Sequence, residues 1–449
     1  MAHSDNHDNP LRPLLGAPVR GGTLAAVACV LEFHSKEKIM KKQNADAVTQ
    51  QEATTEKSAR LYYLDWMQVL AILGVFLFHA THPFDDLGDW IIKNDEITFM
   101  LNFFGGFFYP WGMPFFFLMS GAATWLSLRR RAPGRYVRER VTRLLIPFVV
   151  GSIVLSPIHA YYELSHNGWW KGGSIVEFTF SAQARTYFFT EYRSLTFGPE
   201  IFNRVGYHLW FVALLFIFSL IALPLFIWLE GDSGKRFVAP LARLAKRRGG
   251  LLVFVIPLVL VRFLLQREVP SDDYGWVDFW YYLLFFIAGY IMFADERFLQ
   301  AIRRDRRLHL MLGIPCTLFI FSIAFEVPVE DWMEARGTLE FYLTWTLWGI
   351  NSWCWTMVAF YLGMRSLNFT NKWLQYSRQA TYPFFFVHHP VIIFIAFYVV
   401  QWEVNLLIKL LVVLISSFAL SLGFYELLVK RINPVRTLLG MKPQRRKGE

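Results

Sequence analysis

An all-α, polytopic integral membrane bundle of about ten transmembrane helices is the fold class this sequence predicts. Three observations predict it. Of 449 residues, 55% are apolar and only 18% charged, against about 25% charged in a soluble domain, and the mean hydropathy is +0.33. The apolar residues gather into runs near the roughly 20 residues that a helix needs to cross a bilayer. Lys and Arg fall on alternate loops between those runs.

The runs lie at 62–82, 107–128, 144–161, 207–229, 250–266, 276–294, 308–326, 339–363, 381–400 and 404–429. Pro110, Pro114, Pro224, Pro257 and Pro315 fall in or near them, where neighbouring helices can satisfy a freed carbonyl. Even-numbered loops and the C-terminal tail carry 28 Lys and Arg, and the opposite loops carry 7. That imbalance predicts a multi-pass protein with both termini in the cytoplasm. The basic excess, a net +10, is then the load of cytoplasmic loops, and no nucleic-acid partner is expected. Residues 1–59 are polar and read as a disordered segment. Residues 60–430 form the membrane domain, and 431–449 a basic tail. Met40-Lys41-Lys42 is an alternative start to Met1.

The three cysteines are far apart and form no C-x-x-C pair. Within the apolar runs the histidines show no H-x-x-x-H spacing with a carboxylate, so no metal site is expected there. The long outward loop 162–206 is rich in Trp, Tyr and Phe. It suits either an interfacial aromatic belt or a stacking surface for a sugar.

Polar groups inside a membrane face the bundle interior or a wet cavity and mark function by default. The first run places Asp65, Gln68 and His79 on one helical stripe, with His82 nearby. His79 lies roughly 21 Å along the helix from Asp65. An imidazole there suits proton transfer at neutral pH; an interhelical hydrogen bond is the bland alternative. The loop after the second run holds Arg129, Arg130, Arg131, Arg135, Arg138, Arg140 and Arg143. Guanidinium groups fit phosphate by bidentate bonding, and the positive-inside rule alone also accounts for their number. His208, Trp210 and His388 open or punctuate later runs.

Several of these elements, in their order, resemble the membrane-bound acyltransferase 3 family. They are the Asp65…Gln68…His79 pattern, Phe115-Phe116-Phe117-Leu118-Met119-Ser120-Gly121, and Arg140-x-x-Arg143-Leu-Leu-Ile-Pro147. His208-Leu209-Trp210-Phe211 and Tyr382…His388-His389-Pro390 follow. They span nearly all of the apolar chain. One position departs: Gln68 stands where the family usually has Arg or Lys.

The resemblance implies transfer of an acyl group from cytoplasmic acyl-coenzyme A, a co-substrate and not a bound cofactor, to a hydroxyl of a glycan or other carbohydrate. It implies His79 as catalytic base, with Asp65 and Gln68 in a polar network below it. It places Arg140, Arg143, Arg129, Arg130, Ser120 and His388 on the donor side, and His82, His208 and Trp210 on the acceptor side. His389 is expected to matter less than His388, and His159 has no supporting motif. Ser120 is read as a small residue at a helix contact, since no G-x-S-x-G elbow is present. The layout, with no appended domain expected, resembles the glucan biosynthesis protein C group. Membrane lipid and glycan-synthesis proteins are the further partners implied. A transporter or flippase for a lipid-linked molecule is the alternative class.

Overall fold

The computed structural model describes residues 61–88, 90–193, 202, 205–266, 275–322 and 327–444. The expected N-terminal disordered segment and the Met40 start lie outside these residues. Among the described residues there is no strand. In chain order the helices are α1 (Tyr62–Thr81), α2 (Met100–Leu128), α3 (Pro133–Arg140), α4 (Ile146–His166), α5 (Ile175–Phe180) and α6 (Ala182–Arg193). Next come α7 (Trp210–Ile221), α8 (Leu223–Glu230), α9 (Asp232–Ala245), α10 (Val255–Leu265), α11 (Trp276–Ala294) and α12 (Glu296–Arg304). The last are α13 (Arg306–Phe321), α14 (Val329–Glu334), α15 (Leu339–Ser366), α16 (Lys372–Val399), α17 (Leu406–Phe424) and α18 (Asn433–Leu438).

Each of the ten apolar runs is helical over its described residues, but not each is a clear span. Among the described residues five helical segments are long and apolar enough to cross a membrane: 62–84, 133–166, 276–294, 372–399 and 406–429. A sixth follows if α7 and α8, bent by 47°, count as one. The bend falls at Ala222, just before Pro224 in the first turn of α8, where the ring removes a helical donor. Helices α2 and α15 are long enough, at 29 and 28 residues, but less apolar. Their Trp, Tyr, Gly, Pro, Ser and Thr lower their hydropathy, because the interior they face is aromatic and polar as well as aliphatic.

Prolines inside the helices free carbonyls, and side chains from other helices take them up. Pro114 cannot donate to Pro110, and the Ser352 hydroxyl donates to the Pro110 carbonyl instead, at 2.6 Å. Glycine permits the closest helix crossing. A Cβ built on Gly121 of α2 would overlap the Phe286 carbonyl of α11, and one on Gly289 would overlap the Leu118 carbonyl. The two backbones therefore run against each other, the small-residue packing expected in membranes. Around the crossing, Phe117 stacks on Tyr282 at 5.0 Å between ring centroids.

The segment after 430, read above as a basic tail, carries α18 and buries Arg436. Its Gly440 packs against the backbone of Arg143 and Thr142, in the π-helical turn Val141–Leu145 that joins α3 to α4. Arg304 caps α9 by donating to the carbonyls of Ala245, Lys246 and Arg247. The Asp305 carboxylate holds the same guanidinium and accepts the Gly249 amide. Within loop 162–206, Trp170, Tyr187 and Phe188 pack on Phe178 and Leu164, while Trp169 stays exposed.

Candidate active site

Six histidines from four segments of the chain meet at one place. His79 ends α1, His82 follows it, His159 lies in α4, His208 precedes α7, and His388 and His389 lie in mid-α16. The ring of His79 is 4.7 Å from His389, 5.5 Å from His388 and 6.3 Å from His82. His208 lies 5.3 Å from His388 and 4.7 Å from His389, stacked parallel to the latter at 11°. His388 was expected nearer the donor side, at a different depth from His79 and His208. The structure corrects this: all three share one level, because α1 and α16 cross there with their histidines facing inward.

The tautomers follow from what each ring touches, since a carbonyl can only accept. Pro390 has no N–H, so the Phe386 carbonyl one turn back lacks its helical donor. His208 fills the gap, donating Nε2–H to it at 3.0 Å. Its Nδ1 then carries a lone pair, buried and without a partner. His388 donates Nδ1–H to Phe385 at 2.7 Å, which leaves Nε2 as a buried, unpartnered lone pair. His159 donates Nδ1–H to Leu155 at 2.7 Å, so its Nε2 accepts from His389 Nδ1, 2.8 Å away.

A cavity opens beside this cluster. His79 and His208 line it together with Trp210, Tyr282, Phe116, Tyr109 and other apolar groups. His79, His208 and Trp210, singled out from sequence, are therefore brought together. The structure also adds Trp90, which stacks on His79 at 5.3 Å and on His82 at 4.6 Å. Trp90 sits in a loop anchored by buried Asp85. That carboxylate lies 2.9 Å from His82 Nδ1 and 3.0 Å from Lys93 Nζ.

Other expected residues lie elsewhere. Asp65 is at the far end of α1, paired with Arg378 of α16 at 3.5 Å. Gln68 is exposed. The two therefore form no network under the histidines; roughly 21 Å of helix separates Asp65 from His79. The cation near Asp65 comes from another helix, Arg378, and not from position 68. Arg140 stacks on Tyr136 at 4.6 Å and donates to Thr124. Arg129 covers Trp125 at 4.8 Å. Arg130 and Arg143 are exposed. The Arg143 carbonyl accepts from the Tyr382 hydroxyl at 2.8 Å, six residues along α16 from His388, or about 9 Å. Ser120 stands beside the Gly121 crossing, partly buried.

Sequence reasoning passed over His159 and His389. The signal for both is geometric: two helices far apart in sequence must cross for the pair to exist. One ring nitrogen each from His159, His208 and His389 lie within 4.8 Å of one another, a set that no sequence spacing announces. As placed, His159 and His389 are bonded to each other, and the parallel rings of His208 and His389 do not aim their in-plane lone pairs at one point. A metal would require both rings to turn.

Buried histidines thus line an aromatic cavity inside a multi-pass helical membrane protein. The family model described as "Acyltransferase domain" matches residues 61–426, and the chain belongs to that acyltransferase family. The proteins named glucans biosynthesis protein C from Salmonella paratyphi A and Salmonella agona are each 25% identical over 404 residues, covering 86% of this chain and 95% of theirs. That from Salmonella schwarzengrund is 24% identical over the same length. No solved structure matches.

Proposed function

We infer that this acyltransferase moves an acetyl or succinyl group from cytoplasmic acyl-coenzyme A onto a hydroxyl of a glycan. The observation that carries this is the ring of His79 beside an aromatic-walled cavity, with the lone pairs of His208 and His388 close by. A sugar hydroxyl is a poor nucleophile at neutral pH, and a positioned imidazole takes its proton as attack begins. Aromatic walls such as Trp210, Tyr109 and Tyr282 suit the flat apolar faces of a sugar. The relatives named for glucan biosynthesis favour a glucan acceptor.

Exposed Arg130 and Arg143 supply cations for the donor's phosphates, and the Tyr382 bond ties Arg143 to the helix that carries His388. In this reading ten helices cross the inner membrane, α7–α8 as one broken span, with both termini cytoplasmic. The donor then approaches from the basic face and the glycan from the other. The broken span also suits a transporter, in which discontinuous helices line the substrate path.

One experiment separates the two. Purified protein in vesicles receives labelled acetyl- or succinyl-coenzyme A and a glucan oligosaccharide. New ester on the glucan that vanishes in His79→Ala is the expected result. Glucan or donor crossing the bilayer without ester formation supports the transporter and overturns this reading.

A further inference from the structure

The geometry points to a proton relay behind His79, built from His389 and His159 and ended by Tyr207. It rests on the reading of His79 as the base.

Its direction is set at one end. The Leu155 carbonyl accepts from His159 Nδ1, so the neutral ring presents Nε2 as an acceptor. His389 must then donate Nδ1–H across the 2.8 Å contact. That leaves His389 Nε2 as a lone pair on a ring set edge-to-face against His79, at 4.7 Å and 85°. Each bond points away from the cavity and into α4.

The far end carries one group that favours a positive charge against the cost of burying it. The Tyr207 ring lies flat on His159, 4.2 Å between centroids and 13° from parallel, and a ring face attracts a cation. The backbone is strained to put it there. Tyr207 is the only non-glycine with positive φ among the described residues, at +47°. Such a conformation in a bulky residue persists where the surroundings over-determine it, commonly at functional sites. His159 itself is fully buried.

In the transfer step the acceptor oxygen attacks the thioester carbonyl carbon. The C–O bond forms, and the hydroxyl proton goes to His79. The rings of His79 and His389 touch without a hydrogen bond, so the protonated His79 ring turns to pass its proton to His389 Nε2, and the Nδ1 proton of His389 moves to His159 Nε2. The imidazolium then rests on His159, between the Leu155 carbonyl and the Tyr207 face. As the C–S bond breaks, its electron pair leaves with sulfur. The chain runs backwards and returns one proton through His79 to the thiolate. Protons and charge balance without any further reactant.

The test uses the full chain in nanodiscs, with succinyl-coenzyme A and a glucan oligosaccharide as probes. Nitrogen-15 NMR of histidine-labelled protein should show His159 and His389 both protonated on Nδ1. An Nε2-protonated His159 overturns the relay whatever the activity. His159→Ala should lower kcat about 10- to 100-fold, leave KM within twofold and shift the acid limb of the kcat–pH profile. His159→Gln keeps an acceptor for His389 but takes no proton, so it should be slow as well. Full rate in His159→Gln would reduce His159 to an orienting group and overturn the proposal. Tyr207→Phe keeps the ring on His159 and should turn over as wild type, whereas Tyr207→Gly removes it and should turn over more slowly; wild-type turnover in Tyr207→Gly counts against the relay. EDTA should change neither tautomers nor rate. A loss restored by zinc would make His159, His208 and His389 metal ligands instead. If His159→Ala and His389→Ala both keep kcat within twofold while His79→Ala is inactive, the relay fails and the acyltransferase reading stands. An active His79→Ala removes the reading on which the relay rests.

Discussion

Adding one methyl group at Gly121 tests whether the α2–α11 crossing shapes the cavity. The Cβ of Gly121→Ala would overlap the Phe286 carbonyl oxygen and lie 2.9 Å from the Tyr290 nitrogen. Ordinary contact begins near 3.4 Å, so the helices must part by roughly half an ångström at the nitrogen and by more at the oxygen. Both obstacles are backbone, so no rotamer change relieves them. Overpacking costs about 1–3 kcal/mol, and this site belongs at the upper end. The apparent melting temperature in detergent should fall by about 5 °C or more. The same displacement carries Phe116 on α2 away from Tyr282 on α11, and both line the cavity. Transfer should therefore weaken, mainly through KM, although no histidine is touched. Gly134→Ala is the control: nothing lies within 4 Å of its Cβ, so stability should stay within about 0.5 kcal/mol. Wild-type melting and KM in Gly121→Ala would refute the reasoning.

Two further expectations concern the loops. Asp85→Ala strands Lys93 and His82 beside a vacated buried position; it should cost about 3–5 kcal/mol and slow transfer, because the loop that seats Trp90 over His79 loses its anchor. Thermal melting and kcat in the same preparation check this. Asp305 sets a pH dependence at the basic face. Burial pushes its carboxyl up, but hydrogen bonds from Arg304 and the Gly249 amide outweigh that and hold it below the ordinary value of 3.8. A depressed carboxylate stabilises the fold above its unfolded pKa, and the contribution is lost as pH falls through the folded value. The melting difference between wild type and Asp305→Asn should thus be constant from about pH 7 to 5 and shrink below about pH 4. A difference that grows on acidification would contradict it.

How much of this was legible in the sequence depends on what sets each feature. Helix positions were legible because apolar run length is a local property; over their described residues all ten runs are helical. Which of them cross the membrane cleanly was less so. Composition cannot tell an aromatic, proline-bearing interior helix such as α2 from a weakly apolar one. His79, His208 and Trp210 were legible because ionisable and amphipathic groups inside apolar runs are costly unless they face a cavity. The stripe argument failed for Gln68 and Asp65. A helix end sits at the membrane surface, where polar groups need no buried partner, so Gln68 faces outward and Asp65 finds Arg378.

The second rank of histidines was hidden for a different reason. His159 and His389 come together only as a pair, and their 2.8 Å contact depends on where α4 and α16 cross. Yet part of that answer was written in Pro390. A proline in mid-helix frees the carbonyl four residues back, and in a membrane interior that carbonyl must find a donor. His208 is the donor, so Pro390 fixes the tautomer of a histidine 182 residues earlier in the chain. Pro390→Ala should restore the helical bond to Phe386, release His208 Nε2 and let its ring turn within the cavity. Because the substitution removes a helix breaker, the protein should be no less stable. The His208 nitrogen signals should lose their single-tautomer pattern, and kcat should fall. An unchanged His208 tautomer in that variant would show that the ring is held by its parallel stack on His389 and not by the carbonyl that Pro390 exposes.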